Sequence, residues 1–405
     1  MKELTLGEFS KILSYMIDNN HRLIDAGDTP IAVNIEGEAG IGKTSVVEAV
    51  AREKKMTFVK VCLSQIEETA DLVGFPYKEY LVKLNGEEKW VSADLLKDMN
   101  CDFETTNKSR MSYAVPSWVP TEENPNGTML VLDDYSRASS MLLQAVMELI
   151  NTGSYISWKL PKYTNIVLTS NPDSGEYSVQ TLDNAQKSRL VTFNGKFDIQ
   201  QWAKWAENFG IDGRAINFAL YYNTELFEPK NNVVVANARN YTTFCRAIAG
   251  LPKWNDEKTL EIILEIASGC FLDKDQVVGT LFTQFINNNL DKLISPERLL
   301  NGEWEAVKQE ILNCVYANGN TSSYNYKANI ANILGTRFMN YCNKYLGTDK
   351  ADSKKVADRI DKFVTSDTQL FSQDIMYNIV KTICSNHASL TNRWFLNKNI
   401  RQIAI

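Results

Sequence analysis

The chain has 405 residues, 44% hydrophobic and 23% charged, with a formal net charge of −6, which is the composition of an ordinary globular protein with room for two or three cores. The acidic balance argues against bulk electrostatic attraction to nucleic acid or to an anionic membrane. Charges within Met1 to Glu8 stand where a secretory leader would be apolar, and no run reaches the ~18 apolar residues of a membrane span, so the expectation is a cytoplasmic protein without a membrane partner.

Seven cysteines without a C-x-x-C pair read as free thiols in a reducing compartment. The two histidines, His21 and His387, have no nearby Cys or His and argue against a zinc site. Along the chain, Phe9, Ile12, Leu13, Met16, Ile17, Leu23 and Ile24 recur at helical spacing and predict an amphipathic helix over 8–25. Ile31 to Ile35 has the β-branched content of a buried strand. Gly37-Glu38-Ala39-Gly40-Ile41-Gly42-Lys43-Thr44 follows, a complete G-x-x-x-x-G-K-T. Val46, Val47, Ala49, Val50 and Ala51 then predict a helix starting near Lys43.

This strand-loop-helix setting is what a phosphate-binding loop requires. Its glycines permit positive φ, so successive N–H groups turn inward around phosphates, and the helix N-terminus adds its positive dipole end. The loop from Gly37 to Ser45 is thus expected to hold a nucleoside triphosphate, with Lys43 on the β- and γ-phosphates and Thr44 on Mg²⁺.

Thr57 to Leu63 reads as a second strand. The stretch between Lys43 and Asp133 is longer than one strand and its linkers need, which places an insertion at about 77–120. Within it Tyr80 to Leu84, Asn85-Gly86 and Lys89 to Val91 spell a hairpin, since Asn-Gly suits a tight type I′ turn. Thr128 to Asp134 is a third strand whose four apolar residues lead into Asp133-Asp134. That is the arrangement of a Walker B strand, with Asp133 holding Mg²⁺ through water and Asp134 polarising the attacking water; two acids capping the next helix is the plainer alternative. A helix over Met141 to Ile150 and a second candidate hairpin, Gly153 to Trp158, precede a fourth strand, Thr164 to Pro172.

In the additional-strand group of phosphate-loop ATPases a polar residue at the end of such a strand contacts the γ-phosphate and the lytic water. Asn171 fits that place, although Asn-Pro alone is a common turn dipeptide. Leu190 to Phe193 is a fifth strand. Strands alternate with helices as in a parallel α/β sheet sandwiched by helices, and the first 195 residues read as one domain. From about 197 the pattern is helical: Trp202, Trp205, Ala206 and Phe209, then Ile216 to Leu220 and Tyr241 to Ile248, with further helices over 260–267, 304–316, 330–345 and 375–384.

With these residues in order the chain resembles an AAA+ ATPase, most similar to the MoxR and dynein-related branch. Leu130-Val131-Leu132-Asp133-Asp134-Tyr135-Ser136-Arg137-Ala138 resembles that branch's Walker B and following segment. Thr169-Ser170-Asn171-Pro172 resembles its sensor 1, Leu182 to Arg189 its arginine-finger segment, and Asn237-Ala238-Arg239-Asn240 its sensor 2. The match covers roughly 28–250.

The resemblance implies an ASCE-type core over 1–195, a helical lid over 196–290 and a helical C-terminal region of unassigned role over 291–405. It implies that Arg189 enters a neighbouring subunit's nucleotide, that Arg239 contacts the γ-phosphate from the lid, that the two hairpins face a ring's channel, and that the protein works as a ring, a hexamer, on a protein substrate or adaptor. Two positions depart from the pattern. Asp134 stands where the family usually has Glu, one methylene longer, and Ser188-Arg189-Leu190 stands for the usual Asp-Arg-Phe. The first departure keeps open a slowly hydrolysing, ATP-controlled binding module; a DNA motor or loader is disfavoured by the net acidity.

Overall fold

A computed structural model describes residues 3–84, 86–98, 103–172, 184–229, 234–271, 276–317, 321, 323–349, 351–387, 398 and 400. The chain divides into two compact units, Met1–Phe197 and Asp198–Ile405.

In the first unit the elements run β1 (Glu3–Thr5), α1 (Leu6–Asp25), β2 (Ala32–Glu36), α2 (Lys43–Glu53), β3 (Thr57–Cys62), α3 (Thr69–Val73), β4 (Pro76–Leu84), β5 (Glu87–Ser92), α4 (Ala93–Asp98) and β6 (Glu104–Tyr113). They continue with β7 (Thr128–Asp133), α5 (Ser140–Thr152), β8 (Ser154–Tyr155), β9 (Trp158–Lys159), β10 (Thr164–Ser170), α6 (Asn184–Lys187) and β11 (Leu190–Lys196). Six strands form one parallel sheet in the order β1-β11-β2-β10-β7-β3. The order places β10 between β2 and β7, the additional-strand arrangement, so the ends of these three strands are neighbours.

Both faces of the sheet are covered, which is why its strands are apolar without interruption. Met129, Val131, Val33 and Ile35 pack with Phe9, Leu13 and Ile17 of α1 and Val47 and Val50 of α2. The alternate residues Leu130, Leu132 and Leu168 pack on the other face with Leu142, Val146 and Leu149 of α5. Each such side chain contributes about 1.5–3 kcal/mol by leaving water. α1 begins in a capping box in which Thr5 and Glu8 satisfy each other's backbone amides, and α5 runs from the Ser139 cap to the left-handed Gly153.

The insertion is a three-stranded antiparallel sheet in the order β5-β4-β6. β4 and β5 form the expected hairpin, with Leu84 opposite Glu87; Asn85 of the turn lies outside the described residues. The third strand, β6, and the helix α4 were not expected. β6 reads Glu-Thr-Thr-Asn-Lys-Ser-Arg-Met-Ser-Tyr and is almost wholly exposed, so its strand conformation comes from pairing with β4 rather than from apolar alternation. The second hairpin is β8 and β9, joined by Ile156 and Ser157.

The second unit is helical: α7 (Ile199–Phe209), α8 (Gly213–Tyr221), α9 (Asn223–Phe227), α10 (Ala238–Ile248), α11 (Glu257–Phe271), α12 (Val277–Asn287), α13 (Pro296–Asn301), α14 (Trp304–Val315), α15 (Ala328–Leu346), α16 (Ser353–Val364) and α17 (Gln373–Asn386). Phe218, Tyr241, Phe244, Phe282 and Phe285 form a ring-on-ring core here. α15 packs against α7 and α8, where Arg337 pairs with Glu207 and donates to Asn217.

Candidate nucleotide-binding site

The loop from Gly37 to Gly42 leaves the C-terminal end of β2 and enters α2, whose N-terminus begins at Lys43 without a side-chain cap. Gly42 has φ +103°, a conformation in which an L side chain is strained. A Cβ on Gly37 would lie 2.5 Å from the carbonyl oxygen of Gly195 on β11, so that position is closed to larger residues. Such a turn aims consecutive amides toward one concavity at a helix N-terminus, which is an anion cradle.

Lys43 is buried, and its ammonium donates to the carbonyls of Gly37 at 2.7 Å and Glu38 at 3.0 Å and to Asn171 Oδ1 at 3.0 Å. Thr44, on the next position of α2, donates from its hydroxyl to Asp133 Oδ1 at 2.7 Å. Thr169 Oγ1 donates to the same oxygen at 2.6 Å and accepts from the amide of Asp134 at 3.1 Å. Lys60 Nζ lies 2.7 Å from the other oxygen, Oδ2. Burial pushes the Asp133 carboxyl up, but the hydrogen bonds from Lys60, Thr169 and Thr44 outweigh it and hold the group below the ordinary aspartate value. The bond to Asp133 in turn raises Lys60.

Asp134 has φ +54° and ψ +39°, a left-handed conformation that Asp and Asn adopt more readily than most residues. Beneath it, Asn34 of β2 donates to the Tyr135 hydroxyl at 3.2 Å and accepts from Ser170 at 3.3 Å. This buried pairing ties the middle of β2 and the end of β10 to the turn after β7.

The structure therefore gathers the loop 37–42 with Ala39, Gly40 and Ile41, the helix start Lys43-Thr44-Ser45, Asp133, Asp134 and Asn171 at the C-terminal ends of adjacent parallel strands, the usual place for a ligand in an open α/β sheet. Arg189 is elsewhere. It is exposed just before β11, whose Leu190 pairs with Ala32 while Asn194 pairs with Glu36, so along the strands it lies roughly 20 Å from the level of Gly37. Arg239 belongs to the second unit, exposed on the first turn of α10, where Asn237 Oδ1 accepts from the amides of Arg239 and Asn240. Arg137 is exposed in the turn after β7. Leu182 and Asp183 of the finger segment lie outside the described residues.

Two participants escaped the sequence reading. Thr169 lay inside the segment that carried Asn171, yet only the pairing of β10 with β7 aims its hydroxyl at Asp133. Lys60 left a weak signal, a charge in the middle of an otherwise apolar strand.

Hard oxygen donors, the Thr44 hydroxyl and the Asp133 carboxylate, suit magnesium, and the glycine-formed concavity beside the Lys43 ammonium suits a polyphosphate. Among the described residues no helix is long and apolar enough to cross a membrane.

No curated protein sequence matches the chain. Among solved structures it is similar to RuvB of Thermotoga maritima. One point mutant of that protein is 12% identical with a TM-score of 0.35 over 82% of this chain and 91% of that one. The same protein described as a Holliday junction branch migration motor is 13% identical with a TM-score of 0.35 over 76% and 78%. The family profile "AAA domain (dynein-related subfamily)" matches residues 32–190, which span the phosphate loop, the Asp133-Asp134 strand and Asn171. Over those residues the chain carries an AAA domain of the dynein-related subfamily, the nucleotide-binding domain of the AAA+ P-loop ATPases.

Proposed function

We propose that the protein binds ATP with Mg²⁺ on the loop from Gly37 to Ser45 and hydrolyses it as a MoxR-type AAA+ ATPase, working as an oligomeric ring, a hexamer, that remodels or assembles a protein partner in the cytoplasm. The observation that carries the reading is the 2.7 Å bond from Thr44 to Asp133, which joins the residue expected on the metal to the carboxylate expected behind it.

Each residue has a task that its surroundings support. Lys43, released from the loop carbonyls, neutralises the β- and γ-phosphates. Thr44 and Asp133 hold the metal and its water, and magnesium when bound supplies positive charge against the phosphates. Asn171 turns its oxygen to Lys43, because an ammonium only donates, and so leaves its NH₂ for the γ-phosphate or the lytic water. Asp134 takes the proton of that water or orients it.

Arg189 is too far from its own loop to reach the nucleotide there. That distance supports a role in trans, where such a finger is worth about 10³–10⁵ in rate. On the same reading 1–195 is the core, 196–290 the lid that carries Arg239, and 291–405 a helical region whose role stays open.

Steady-state turnover of wild type, Lys43→Ala and Asp134→Asn tests the assignment. Hydrolysis that Lys43→Ala leaves unchanged would refute the site. Tight ATP binding with negligible wild-type turnover would favour the second reading, an ATP-controlled binding module, to which the short Asp134 side chain points. Stimulation by DNA would favour a nucleic-acid motor instead.

A further inference from the structure

Asp133 has both carboxylate oxygens engaged, and the two sides differ in kind. Oδ1 takes two neutral hydroxyls, Thr44 and Thr169. Thr44 can ligate a metal through a lone pair while its hydrogen stays on Oδ1, so this side is compatible with a loaded site. Oδ2 takes the Lys60 ammonium at 2.7 Å. A water of a hydrated divalent cation would have to donate to that same oxygen, and it brings a charge of the same sign as the lysine.

Exposure shows which partner can yield. The Asp133 side chain is 13% exposed and held on its other oxygen, whereas Lys60 is 43% exposed on a long flexible stem. Lys60 sits on β3 opposite Val131 and, like Cys62 two residues on, projects from the sheet face that carries α2, as Asp133 does. Its position is thus set by strand register and not by chance of a surface rotamer.

We propose that Lys60 is an intramolecular competitor of magnesium, its ammonium occupying Asp133 Oδ2 until the metal's water displaces it. The lysine thereby raises the magnesium concentration at which the nucleotide site is completed. This rests on the ATP reading above.

The test is binding, not turnover. A fluorescent ADP analogue is held at fixed concentration with the 405-residue chain while Mg²⁺ is varied, and Mn²⁺ occupancy is followed in parallel by electron paramagnetic resonance. Removing a like charge a few ångströms from a divalent ion should lower the half-saturating metal concentration by about tenfold or more in Lys60→Met. Lys60→Gln, a shorter neutral side chain that keeps a hydrogen-bond donor, should show the same decrease, and it carries the test if the methionine variant does not fold. Lys60→Arg, which keeps the charge, should stay near the wild-type midpoint. An unchanged or higher midpoint in the neutral variants that fold would overturn the proposal while leaving the ATP reading intact. Failure of wild type to bind the ADP analogue with or without metal would remove the ATP reading, and this proposal with it.

Discussion

The Lys43 ammonium and Asn171 Oδ1 are 3.0 Å apart, which ties the first residue of α2 to the residue just beyond β10. Lys43 also holds two loop carbonyls, so loss of the amide leaves the ammonium in place. Asn171→Ala should therefore lower turnover by about 10²-fold, the scale of removing one transition-state hydrogen-bond donor, while nucleotide affinity changes little. Parallel kcat and ATP-binding measurements check this; equal loss in both would assign Asn171 to ground-state binding only.

Thr169 is 1% exposed and serves the Asp133 carboxylate and the Asp134 amide together. Thr169→Val keeps the shape and removes both bonds, so it should cost about 1–3 kcal/mol. Urea denaturation reads the stability, and the magnesium dependence of nucleotide binding should weaken with it.

The left-handed backbone at Asp134 makes its replacements unequal. Asn tolerates that conformation, so Asp134→Asn should fold as wild type, bind ATP and lose about 10²–10⁴ in turnover if the carboxylate acts on the lytic water. Asp134→Glu restores the length usual in the resembled family but should lose about 1 kcal/mol or more to backbone strain. Melting curves beside turnover separate the two effects.

Arg189→Ala chains and Lys43→Ala chains should each be inactive, and a mixture should recover part of the activity. Each interface that combines an intact loop with an intact Arg189 would then work. Mixed assemblies, verified by differential labelling, that show no recovery would argue against action in trans.

Asp212 caps α8 and pairs with Arg214 at 2.7 Å. Burial raises its carboxyl, yet the bonds to Arg214 dominate and hold it below the ordinary value of 3.8. A depressed folded value means that its stabilisation is complete above the unfolded value and is lost as pH falls through the folded one. Asp212→Asn can still cap the helix but loses the ion pair, so it should flatten this part of the acid limb of stability. Urea midpoints measured at descending pH in both proteins check the prediction.

The extent to which the chain was legible follows the range of the interactions concerned. β7 was visible because its residues are buried on both faces and lead into a pair of acids, Asp133 at its end and Asp134 just beyond. β1 was not, since three residues carry no periodicity, and its partner β11 lies at the far end of the domain in sequence. β6 was hidden for a related reason: its polar residues become a strand only once β4 offers an edge.

What the sequence by itself determined is local chemistry: the glycines and Lys43-Thr44 between a buried strand and an amphipathic helix, and the carboxylates closing an apolar run. Those properties depend on neighbours within a few residues, where turn preferences and side-chain periodicity act directly. Only the tertiary structure decided that Thr169 and Lys60 would meet at Asp133, because that meeting depends on β10 and β3 flanking β7. It likewise set Arg189 at the far end of the strands from its own phosphate loop. Strand order is chosen by burial across the whole domain, and no short stretch of chain encodes it.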